Sequence, residues 1–138
     1  MKIHFPLGFF TLFLVFIQAQ VTEVFSQNLS VGDIAFIGYN TDSPDAFTWI
    51  ALAEIPGNEV IYFTEQGWTG SAWYANSETH ITWTAPMAGL SCGTVVRINS
   101  SGATSGSYTG TFHSLSGGDQ VLAYQGNAPA TASPAFIA

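Results

Sequence analysis

Cysteine, lysine and arginine are nearly missing from this sequence. Its 138 residues include one cysteine and two Lys or Arg against nine Asp or Glu, for a formal net charge of −7. A single cysteine excludes an intramolecular disulfide framework, so packing must supply the stability. Cys92 is expected to be a small buried hydrophobe rather than a nucleophile. After residue 26 the only Lys or Arg is Arg97. A surface of that sign repels phosphate backbones, which excludes nucleic-acid binding and disfavours anionic membrane surfaces. Histidine is also scarce: three residues, with His4 close to the N-terminus, give no H-E-x-x-H or comparable zinc cluster. No G-x-S-x-G elbow occurs either, so the strained serine of a hydrolase is not expected.

Long apolar runs are missing too. The longest, Phe5 to Ile17, falls short of the roughly 20 residues that a transmembrane helix needs. With Lys2 before it and small residues after it, the run reads as a cleaved secretory signal. Cleavage fits after Ala19 or after Ser26, and the second is preferred because Gln27 leads directly into strand-like sequence. No cysteine follows the signal closely, which argues against a lipoprotein. The expected organisation is a signal peptide over 1–26 and one module over 27–138.

That module consists of short apolar or alternating runs punctuated by Gly, Ser, Asn, Asp and Pro. In order they are Asp33 to Asn40, Ala46 to Ile55, Glu59 to Glu65, His80 to Ala85, Gly93 to Asn99, Tyr108 to Phe112, Asp119 to Gln125, and the start of a further strand at Pro134 to Ala138. The spacing predicts an all-β, antiparallel, immunoglobulin-like sandwich of about seven or eight strands. Helical periodicity is not sustained anywhere; even Trp49 to Glu54 is better explained by alternation. Glu59 to Glu65 is nearly continuous in apolar character and is expected to be a central strand. Ile81 and Trp83 should face the core, with His80, Thr82 and Thr84 outward, and Val96 and Ile98 should point inward with Val95 and Arg97 out. Ser100 to Ser107 reads as a connection with no packing demand, and Ser116-Gly117-Gly118 as a tight turn. The apolar ending at Ala138 predicts that the module continues past it.

Four segments, GDIAFIGYN at Gly32 to Asn40, YFTEQGW at Tyr62 to Trp68, ITWTAP at Ile81 to Pro86 and LSGGDQVLAYQG at Leu115 to Gly126, carry a resemblance. Together they resemble a family of N-terminal β-sandwich modules of secreted multidomain bacterial proteins, especially of Bacteroidota, distantly similar to the lamin-tail type of sandwich. The resemblance implies the fold, no catalytic residue set, and other domains of a longer chain as partners. Family members often carry Asp-Asn before the Gly-Trp, where this chain has the longer pair Glu65-Gln66.

Several residues are candidates for chemistry. His80 or His113 could meet Asp119 or Cys92, but both histidines fall on outward strand positions, where a solvated side chain is expected. Glu65 and Glu78 flank an aromatic loop and are the pair to test for glycoside hydrolysis, although so small a domain rarely builds the cleft. Asp42 and Asp45, with Asn40 and Thr41, crowd oxygen ligands that would suit calcium, and the same residues are ordinary turn formers. Trp68, Trp73 and Tyr74 lie in a Gly/Ser/Asn-rich loop where exposed rings could stack on polysaccharide; packing under the loop is the commoner fate of tryptophan, and Trp68 is expected to fold back over the sandwich end. No cofactor is expected beyond calcium at Asp42 and Asp45. The expectation is a non-catalytic structural or interaction module of a secreted or cell-surface protein, with carbohydrate binding as the alternative and an enzyme third.

Overall fold

The computed structural model describes residues 29–42, 44–74, 78–111, 120–126 and 134–138. The segment read as a signal peptide, His113, Asp119 and the Ser116-Gly117-Gly118 turn lie outside these residues. The described residues form nine strands and no helix. One antiparallel sheet has the order β1-β2-β5-β6, from Ile34–Asn40, Ala46–Ala51, Val95–Asn99 and Gly102–Ala103. The other has the order β7-β4-β3-β8-β9, from Ser107–Thr109, His80–Thr84, Val60–Thr64, Leu122–Gln125 and Ala135–Phe136. The chain is thus the all-β antiparallel sandwich that the alternating runs predict.

Period-two alternation explains the core. β4 buries Ile81 and Trp83 and half-exposes its other three residues, while β5 buries Val96 and Ile98 and exposes Val95 and Arg97. The two inner faces meet through aromatic rings: Phe47 lies 5.0 Å from Phe63 across the sandwich, and Trp49 meets Trp83 edge-on at 5.1 Å. β3 is central, paired with β4 on one side and β8 on the other. Its near-continuous apolar sequence therefore reflects cover on both faces. At the chain's described start, Leu29 N–H donates to the buried Gln125 Oε1 at 2.7 Å, and Gln125 Nε2 donates to Glu59 and to the Val60 carbonyl.

Two expectations about segments are corrected. β2 ends at Ala51 rather than at Ile55, because the N–H groups of Leu52 and Ala53 turn to the Asp33 carbonyl and Ile55 makes an isolated bridge to Leu90. The connection over 100–107 does carry packing. Gly102–Ala103 forms β6 against β5, Ala103 packs on the core, and Trp83 Nε1 donates to the Ser105 carbonyl at 2.9 Å. Gly106 has φ +73°, and a Cβ there would lie 2.4 Å from the Thr84 carbonyl oxygen and 2.7 Å from the Trp83 ring. Such a segment packs with its backbone, so a search for apolar side chains does not register it. β6 is also the short element behind a count of nine strands rather than seven or eight.

Candidate functional site

The outer face of the five-stranded sheet is where the chemistry-bearing side chains gather. Directly paired residues share a face, so register places Tyr62, Thr82, Tyr124 and Phe136 in one row and His80, Thr64 and Leu122 in the next. A solvent-facing row would be polar; this one holds three aromatic rings. Tyr124 is nonetheless completely buried. The loop after β3 covers it.

That loop is a miniature hairpin. Thr64 Oγ1 donates to the Thr79 carbonyl at 2.9 Å and accepts the Gln66 N–H at 3.0 Å, turning the chain as it leaves the strand. Trp68 and Trp73 form an isolated antiparallel bridge, closed by Thr69 N–H to the Ala72 carbonyl and by Tyr74 N–H to the Gly67 carbonyl, both at 2.9 Å. The bridge brings the Trp73 ring to 5.2 Å from His80, 5.3 Å from Tyr124, 5.8 Å from Phe136 and 5.0 Å from Trp68. Trp68 in turn lies 5.7 Å from Phe136. A second aromatic layer therefore stands outside the sandwich core.

A chain of hydrogen bonds ties this layer to the sheet. Gln66 Nε2 donates to the Tyr74 carbonyl at 2.6 Å, which leaves Gln66 Oε1 as an acceptor facing His80 Nε2 at 2.7 Å. His80 Nε2 must then carry the proton, and Nδ1, at 2.5 Å from the Tyr124 hydroxyl, accepts from it. The arrangement selects a neutral imidazole of one tautomer. Burial also pushes the His80 pKa below its usual 6.5, in the same direction.

The expectation of a solvated His80 is corrected by these contacts: outward strand parity gave the right face, but the returning loop half-buries it. Cys92 is corrected in the opposite sense. It is exposed and unpaired, on the turn before β5, with its thiol 3.1 Å from the Leu52 carbonyl, because the strand begins only at Val95. Among the other candidates, Trp68 and Trp73 are half-buried and meet at an interplanar angle of 70°, so they do not form one flat platform. Tyr74 is 57 % exposed. Glu65 is buried and Glu78 is half-buried. Asp42 is exposed and Asp45 half-buried, in a turn where Asn40 Nδ2 donates to the Asp42 carbonyl at 2.7 Å. Among the described residues no three His, Cys, Asp or Glu side chains cluster as metal ligands.

Sequence reasoning missed Gln66, Tyr124 and Phe136 as members of this site. One signal was available: Tyr62 and Tyr124 both carry aromatic rings on strands expected from the sequence, and antiparallel pairing would set them side by side. Comparison of the chain with protein-family models, with curated proteins and with solved structures finds no match in any of the three.

Proposed function

We propose that the chain is a non-catalytic structural or interaction module of a secreted or cell-surface protein, acting beside other domains of a longer chain. The observation that carries this reading is the use made of the reactive and stacking side chains. Both His80 ring nitrogens are engaged by neighbours, and Trp68 and Trp73 pack on each other and on Phe136. These groups fasten a loop to a sheet. Export is supported by the sequence from Lys2 to Ser26, and intact-mass analysis of secreted material is expected to give an N-terminus at Gln27.

One observation favours carbohydrate binding as a second reading. Tyr74 offers an aromatic ring to solvent at the loop's edge, and such a ring can stack on a sugar. Affinity electrophoresis through gels containing polysaccharide separates the two. The structural reading expects no retardation. Retardation that Tyr74→Ala abolishes, at unchanged melting temperature, would replace it with carbohydrate binding.

A further inference from the structure

We propose that His80 is a pH-responsive latch: it holds the 66–74 loop closed over the outer face of the five-stranded sheet when neutral, and acidification opens the loop and uncovers the aromatic face of Tyr62, Tyr124 and Phe136. This goes beyond a purely structural module, because the covered face becomes a conditional one.

The argument is one of linkage. Among the described residues the imidazole meets Gln66 and Trp73 from the loop and Tyr124 from β8, and Thr64 of β3 is its partner in the strand register. None of these carries a charge to offset one on the ring. Two acids lie close by in strand position: Glu65 follows Thr64, the register partner of His80, and Glu78 stands two residues before His80. Burial moves the His80 pKa down, because the half-buried ring hydrates its charged form less well. Closure therefore disfavours the protonated ring, and by reciprocity protonation disfavours closure.

The hydrogen bonds add a local reason. Protonated, Nδ1 becomes a donor pointed at the Tyr124 hydroxyl, so the hydrogen bond that the hydroxyl donates to the neutral ring is lost in its present form. The sign follows. With a folded pKa below 6.5, the stabilisation of the closed loop is complete above pH 6.5 and is lost as the pH falls through the folded value.

Acrylamide quenching of tryptophan emission between about pH 8 and about pH 5, the range in which histidine titrates, reads the loop directly. Trp49 and Trp83 are fully buried in the core, so a change in quenching reports Trp68 and Trp73. The expected result is a rise in quenching on acidification whose midpoint coincides with that of the His80 ring, followed by NMR in the unmodified protein, at constant far-UV circular dichroism. His80→Gln should make the profile flat. Gln66→Glu, which puts a carboxylate on Nε2, should hold the protonated ring in place and suppress the rise. Quenching that stays flat while His80 titrates overturns the proposal, as does a rise that survives His80→Gln. Should that variant fail to fold, a quenching midpoint that differs from the NMR midpoint overturns it equally.

Discussion

Trp83 shows how much one residue can decide in a sandwich without disulfides. Its ring meets Trp49 edge-on at 5.1 Å, its indole N–H reaches the Ser105 carbonyl at 2.9 Å, and Gly106 is bare so that the chain can pass against it. Removal leaves a cavity at the centre of the core and an unsatisfied carbonyl above it. Trp83→Ala is expected to cost about 3 to 5 kcal/mol, the range for a buried large aromatic, measured by denaturant unfolding. A midpoint equal to that of the unmodified protein would mean that β4 presents its other face to the core. Exposure differs as sharply among the loop aromatics, where neighbours separated by one bond along the chain have different fates: Trp73 is half-buried against four rings, and Tyr74 is mostly in solvent.

Elements rather than residues explain the second aromatic layer. The hairpin of 67–74 has only a Trp68–Trp73 bridge and a few turn hydrogen bonds of its own, too little to persist alone in water. It is held because β8 and β9 place Tyr124 and Phe136 beneath it, and because Gln66 links it to His80 on β4. Trp73→Ala should therefore destabilise the protein by about 1 to 3 kcal/mol, less than a core tryptophan, while Tyr74→Ala stays within about 0.5 kcal/mol, as surface changes do. Thermal melts of the two variants side by side test this. If Tyr74→Ala proves the more damaging, Tyr74 rather than Trp73 seats the loop on the sheet. The same scale covers β6, whose two residues matter through backbone pairing and close approach rather than through side chains.

At the scale of the molecule, charge is the distinctive property. A net charge of −7 with Arg97 as the only Lys or Arg among the described residues leaves carboxylates with little to offset their mutual repulsion. Screening that repulsion favours the compact state. Raising sodium chloride from about 10 mM to about 150 mM, across which the Debye length falls from about 30 Å to about 8 Å, is expected to raise the melting temperature. Scanning fluorimetry over a salt series checks the direction. A fall with salt would show that attractive charge pairs outweigh the repulsion.

The sequence by itself determined the class of fold, the central place of β3 and the inner faces of β4 and β5. Each follows from alternation with a period of two, a local property that every strand carries in its own residues. It also determined that no intramolecular disulfide holds the fold, since the chain has one cysteine. The tertiary structure decided what alternation is silent about. Parity put His80 on the outer face but could not say that a loop returns over that face, because closure depends on β8 and β9, more than forty residues further along the chain by the 44-residue separation of His80 and Tyr124. It likewise decided that Cys92 sits on an exposed turn and that the Gly/Ser segment around β6 packs, since both depend on where backbone meets backbone. Pattern is written residue by residue; cover is supplied by whatever the fold brings back from a distance.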